Sequence, residues 1–130
     1  MSVTMSDAQS FVDNWSRVWR DRDGHGYAQL LHEDCVLDNP ISPVSREELP
    51  QFVDSLLAIW PDHRITATRW AATGDDVLIE WVATGTLLPG GPIELRGADR
   101  YTLRDGKVCE GVAYFDPRPL LDRQQAPTDQ

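Results

Sequence analysis

One carboxylate stands on the apolar side of a strand. Between Ile93 and Arg104 the odd positions read Ile93, Leu95, Gly97, Asp99, Tyr101 and Leu103. The even positions read Glu94, Arg96, Ala98, Arg100, Thr102 and Arg104. A period of two marks a strand with one dry and one wet face. Asp99 is the ionisable exception on the dry side. Burying an unpaired carboxylate is costly, so such a group is protonated, hydrogen-bonded, or facing a cavity. All three conditions suit an acid/base pocket. A carboxyl in an apolar cavity has a raised pKa, so one group can give or take a proton near neutral pH. Tied to backbone amides or to an arginine across the sheet, the same residue is structural.

Asn39 is the second candidate. It follows Cys35 and Leu37 on the inner side of a short strand, where an amide can orient a carbonyl or a water. Placed before Pro40, it can equally set a turn. Asp38, one place away, points to solvent. Trp15 and Trp19 lie one turn apart on the first helix, Trp81 shares a strand face with Ile79 and Ala83, and Trp60 ends a helix. Core packing is the default for each, yet several tryptophans around one acid also describe a slot for a flat, apolar ligand. Tyr101 can donate its hydroxyl into the same space. Trp70 falls on the other face of its strand and suits an interface or the outer surface. His63, in a Pro-Asp-His turn, reads as a surface residue by default, and as a second acid/base only if that turn folds over the mouth of the cone. His25 and His32 have no partner at metal spacing, so no metal site is expected.

The elements that must position these residues follow from periodicity and punctuation. Phe11, Val12, Trp15, Val18 and Trp19 form a helical stripe from Asp7 to Arg20, capped by Ser6 or Asp7. A short helix around Tyr27 to Leu31 follows Gly24 and Gly26, and Cys35 to Asn39 is a brief strand. Ser45 and Glu48 have capping-box spacing, while Pro50 suits the first turn of a helix that runs to about Trp60. Four strands then span 64–72, 77–88, 93–104 and 108–115, separated by turns rich in Gly, Asp and Pro. Helices followed by a meander make an α+β domain: three N-terminal helices packed on a curved antiparallel sheet. They leave a cone whose inner wall carries Asp99. One domain is expected over residues 6–121, with 122–130 a polar C-terminal tail.

The chain of 130 residues carries a net charge of −9, with its arginines scattered, which disfavours nucleic acid and anionic membranes as partners. Two cysteines without metal spacing, no signal-like N-terminus and no membrane-length apolar run lead to the expectation of a cytoplasmic protein. No phosphate-cradling loop is present, and no cofactor is expected.

Several spaced stretches carry a resemblance. Trp60-Pro61-Asp62-His63-Arg64, Gly74-Asp75, Val77 to Gly85 with Trp81, Gly97-Ala98-Asp99-Arg100-Tyr101, and Asp105-Gly106-Lys107-Val108 resemble the SnoaL-like polyketide cyclases of the nuclear-transport-factor-2-like superfamily. Tyr114-Phe115-Asp116-Pro117 is similar to the end of the last strand in many members. The resemblance implies the cone-shaped fold and a homodimer. It places Asp99 at the acid/base position of the cyclases, and at that of a protonated oxyanion donor in ketosteroid isomerases. It puts Asn39 at the isomerase base, Trp15 at the isomerase tyrosine, and Leu87 where the cyclases carry a histidine. The Asp-Arg-Asp triad of limonene-epoxide hydrolases would fall on Ala83, Trp81 and Ala113, so that machinery is missing. The resulting expectation is cofactor-independent acid/base chemistry, cyclisation or isomerisation, on a hydrophobic polyketide-like molecule. Asp99 and Asn39 are the catalytic candidates; Trp15, Trp19, Trp60, Trp81, Tyr101 and Leu87 are the substrate contacts. The alternative is a binding or accessory domain of the same fold.

Overall fold

The computed structural model describes residues 3–125. Four helices cover one face of a six-stranded sheet ordered β2-β1-β6-β5-β4-β3. Helix α1 (Met5–Arg20) starts earlier than its apolar stripe requires, because Thr4 caps it: Oγ1 accepts the Asp7 N–H at 3.0 Å. Ala8, Phe11, Val12, Trp15 and Val18 form its buried stripe. Asp23 caps α2 (Gly24–Gln29) by accepting the Gly26 N–H at 2.8 Å.

The capping box closes ahead of its helix. Ser45 N–H donates to Glu48 Oε1 at 2.9 Å, and Glu48 N–H donates to Ser45 Oγ at 3.3 Å. These bonds shape a turn, and α3 (Leu49–Ile59) begins after it with Pro50 in its first turn, where a missing N–H costs nothing. The same turn lets Val44–Ser45 form a short strand, β2, antiparallel to β1 (Val36–Asp38).

Strands β3 (Arg64–Thr73), β4 (Asp76–Leu87), β5 (Gly91–Arg104) and β6 (Lys107–Phe115) make the expected antiparallel meander. The sheet as a whole is mixed, since β1 pairs in parallel with β6. On β4, Val77, Ile79, Trp81 and Ala83 are buried; on β5, Ile93, Leu95, Asp99, Tyr101 and Leu103 are buried. The odd face is thus the dry one.

Trp70 departs from its expected outer position. A bulge between Ala67 and Arg69 shifts the register of β3, so Trp70 pairs with Ile79 and packs against the core from the inner face. One extra residue reverses the facing of everything after it.

A fourth helix, α4 (Arg118–Gln124), extends into the stretch assigned to the tail. Buried Leu120 anchors it, and Arg123 and Gln124 donate to the Pro92 and Pro89 carbonyls. The rest of that expected tail, 126–130, lies outside the described residues. Among the described residues no helix is long and apolar enough to cross a membrane.

Gly97 lies directly across from Trp81 on β5. A Cβ there would stand 2.6 Å from Trp81 Cζ2 and 2.7 Å from the Tyr114 carbonyl oxygen. The missing side chain lets the indole lie across β5 toward Asp99. Gly97→Ala is therefore expected to destabilise the fold by about 1–3 kcal/mol, the usual cost of overpacking. A lower urea midpoint at unchanged slope is the measurement.

Candidate active site

Asp99 sits at the centre of a buried hydrogen-bonded chain. Trp81 Nε1 donates to Oδ1 at 2.9 Å, and the Tyr101 hydroxyl donates to Oδ2 at 2.7 Å. Tyr101 is held in turn by Trp15 Nε1, which donates to its oxygen at 2.8 Å, and by the Tyr27 hydroxyl at 2.7 Å. The donors around the carboxyl are neutral. The adjacent Arg100 points to the other face, where it bonds Thr102 and Glu110. Among the described residues no cation pairs with Asp99.

Register explains the convergence. Trp81 and Asp99 lie on neighbouring strands, offset by two residues across Gly97. Tyr101 follows Asp99 by one pleat, and opposite it on β6 is Gly111, where a Cβ would come within 3.2 Å of the Tyr101 ring. Helix α1 brings Trp15 onto Tyr101, and α2 brings Tyr27.

Burial pushes the Asp99 carboxyl up from 3.8 to about 6, against the hydrogen bonds from Tyr101 and Trp81, which favour the charged form. Its working range therefore overlaps neutral pH.

The hydrogen-bonded chain borders an open-mouthed cavity of about 510 Å³ with largely apolar walls, Trp19, Leu56, Trp60, Ile65, Leu95 and Phe115 among its lining. Exposed Ile41 and Phe52 also line it. The charged residues of its lining are Asp38, Glu48 and Asp99, all acidic.

Of the expected site residues, Asp99, Tyr101, Trp81, Trp19, Trp60 and Asn39 reach this cavity. Trp15 and Leu87 lie outside its lining. Trp15 is fully buried behind Tyr101 and spends its N–H on that hydroxyl. Leu87 is sealed in the core: the Trp60 indole covers Gly85, the inner position between Leu87 and cavity-lining Ala83. Asn39 borders the cavity, but its amide is taken up by its own turn. Oδ1 accepts the Ile41 and Ser42 N–H groups, and Nδ2 donates to the Ser42 carbonyl. The turn-setting role therefore accounts for both ends of its amide.

Two further cavity residues stand outside the expected site set. Tyr27 lines the cavity and touches the Asp99 chain through Tyr101, 74 residues away. His63 is buried rather than superficial, its ring 5.3 Å from that of Trp19 and 4.7 Å from that of Trp60. Burial, helped by the Arg22 charge, lowers its pKa from 6.5 to about 4, so the imidazole is neutral at pH 7.

Asp99 and His63 titrate against one another in stability. Asp99 binds its proton more tightly when folded, so its contribution is largest in acid and is lost as pH rises from 3.8 to about 6. His63 binds its proton more weakly when folded, so its contribution is complete above 6.5 and is lost as pH falls toward about 4. Each shift corresponds to roughly 3 kcal/mol. Asp99→Asn should leave a stability that climbs with pH across this window. His63→Gln should leave one that falls, and the unsubstituted protein should be flatter than either. Urea unfolding at a series of pH values reads the three slopes.

Residues 12–111 match the family model of the SnoaL-like domain. No match is found among curated protein sequences. In fold the chain is similar to IdmH of Streptomyces antibioticus, to which polyketide cyclase activity is ascribed (20% identical, 92% of this chain and 99% of that one, TM-score 0.74). It is also similar to TerC co-crystallised with polyporic acid (19% identical, 92% and 99% covered, TM-score 0.80). A third neighbour is an NTF2-like protein of Burkholderia pseudomallei (15% identical, 94% and 100% covered, TM-score 0.84). The chain belongs to the SnoaL-like domain family, and its cone is the nuclear-transport-factor-2-like fold.

Proposed function

We propose that this protein is a cofactor-independent enzyme catalysing an aldol-type cyclisation or an isomerisation of a hydrophobic, polyketide-like small molecule. The observation that carries the reading is a carboxyl buried beside an apolar cavity, bonded among the described residues only to neutral donors, with a pKa raised to about 6. Asp99 takes a proton from a carbon beside a carbonyl and later returns it to the same framework. Trp81 and Tyr101 fix its two oxygens. Trp19, Trp60 and Phe115 supply flat apolar walls for the ligand. Similarity to TerC, crystallised with polyporic acid, and to IdmH supports a cyclic, oxygenated ligand.

A second reading, a binding domain without chemistry, is favoured by one feature: beyond Asp99 the inner wall is apolar at Ala83, Ala113 and Phe115, and Asn39 is engaged in its turn. A homodimer through the outer sheet face accompanies either reading, supported by exposed Leu78 and Tyr114.

2-Tetralone, a bicyclic ketone with acidic α-hydrogens, separates the readings. The protein should exchange those hydrogens for deuterium in D2O, at a rate that rises as pH passes about 6 and the carboxylate forms. Asp99→Asn should reduce the protein-dependent rate about 10²-fold or more. An unreduced rate in that variant overturns the proposal. Quenching of tryptophan fluorescence by 2-tetralone with no exchange above buffer favours the binding domain.

A further inference from the structure

Donor counting gives the buried chain a direction, and that direction depends on the state of Asp99. An indole nitrogen can only donate. Trp81 Nε1 therefore always occupies Oδ1, and Trp15 Nε1 always occupies one acceptor site of the Tyr101 hydroxyl. With Asp99 ionised, Tyr101 donates to Oδ2. Tyr101 has one acceptor site left, and Tyr27, 2.7 Å away, fills it as donor. Tyr27 has then directed its single proton inward and has only lone pairs to offer. With a proton on Oδ2, the carboxyl donates to Tyr101 instead. The Tyr101 oxygen is now filled by Trp15 and Asp99, so its proton turns to Tyr27. The Tyr27 proton must turn away from the chain, and Tyr27 lines the cavity.

We propose that Asp99, Tyr101 and Tyr27 form a reversible proton wire whose outer end, Tyr27, shows the cavity an acceptor when Asp99 is charged and a donor when it is neutral. This rests on Asp99 being the acid/base group of the proposed reaction and adds a second point of proton exchange to it. The matching ligand group is an oxygen that becomes anionic during the reaction, an enolate or an alkoxide. Delivery balances. The Tyr27 O–H breaks as the ligand O–H forms, Tyr101 passes its proton to Tyr27, and Oδ2 passes its proton to Tyr101. Asp99 ends as the carboxylate, the ligand oxygen ends neutral, and no oxidation state changes. Neither phenol has to ionise, and burial holds both above the ordinary tyrosine range. Trp15 is a positioning residue, since it keeps the second acceptor site of Tyr101 filled in both states.

The other titratable groups around the wire do not duplicate the switch. Asp38, Glu48 and His63 line the same cavity and Cys35 lies beside Tyr27, but among the described residues none of them is hydrogen-bonded to the wire. His63 is neutral above about 4, and burial pushes the Cys35 thiol up to about 11.

The test needs no ligand. The chain has three tyrosines, Tyr27, Tyr101 and Tyr114, and Tyr114 is exposed on the outer face. In protein labelled with ¹³C at tyrosine Cζ, the Tyr27 and Tyr101 signals should move with one midpoint between about pH 5 and 7, shared with the Asp99 carboxyl, while Tyr114 stays still. In Asp99→Asn, Trp81 demands the amide oxygen, so the new amide N–H faces Tyr101 and locks the acid-form direction. Its Tyr27 signal should be independent of pH and lie near the acid limit of the unsubstituted protein. In Tyr101→Phe, Tyr27 should lose its transition while Asp99 keeps one. The wire is overturned if Tyr27 is flat where Asp99 titrates, if Tyr27 titrates unchanged in Tyr101→Phe, or if Asp99 has no transition in that range. Failure of the Asp99 reading is read elsewhere, by 2-tetralone exchange persisting in Asp99→Asn.

Discussion

A carboxyl group held out of water by neutral donors is the constraint on which the rest of this structure depends. Desolvation alone would drive Asp99 strongly toward its acid form, and a guanidinium at the same place would hold it charged at every physiological pH. The Trp81 indole and the Tyr101 hydroxyl do neither. They satisfy both oxygens and offset part of the burial, which leaves the group near pH 6. Much of the architecture serves those two bonds. Gly97 clears the path of the indole across β5, Gly111 clears the ring of Tyr101, and α1 and α2 deliver Trp15 and Tyr27 to hold its hydroxyl.

The cavity around this group is electrostatically one-sided. Its charged lining residues are acidic, and its one histidine is kept neutral by burial and by Arg22. Among the described residues a free carboxylate on a ligand would meet no compensating cation in the lining, whereas a neutral apolar ligand would leave water at little cost. Such a wall also keeps the dielectric low where Asp99 works, which preserves its raised pKa when the cavity is filled.

How much of this was legible in the residues depends on the range of the determining interaction. The inner placement of Asp99 and Tyr101 follows from alternation along one strand, a local property. The α+β order and the cone follow from periodicity and turns in the same way, and the spaced motifs around Trp60, Trp81 and Asp99 identify the family. Trp70 escaped because a single-residue bulge reverses facing without changing composition. Tyr27 escaped because its partner lies 74 residues away, and His63 because its turn is buried by ring contacts with Trp19 and Trp60 rather than by its neighbours in sequence. An Asn-Pro pair is compatible with both orienting a ligand and setting a turn, and only the local bonds from Ile41 and Ser42 to Asn39 Oδ1 decide for the turn. Resemblance alone puts Leu87 at the ligand, whereas the Trp60 indole over Gly85 separates it from the cavity.

The protonation midpoint of Asp99 itself tests the account most directly. It can be read as the infrared carboxyl C=O band that is present in the unsubstituted protein and missing from Asp99→Asn. The band should appear as pH falls through about 6. A band that appears only near 3.8, the value of an unburied aspartate, would contradict the account, because the carboxyl would then be solvated or clamped in its charged form.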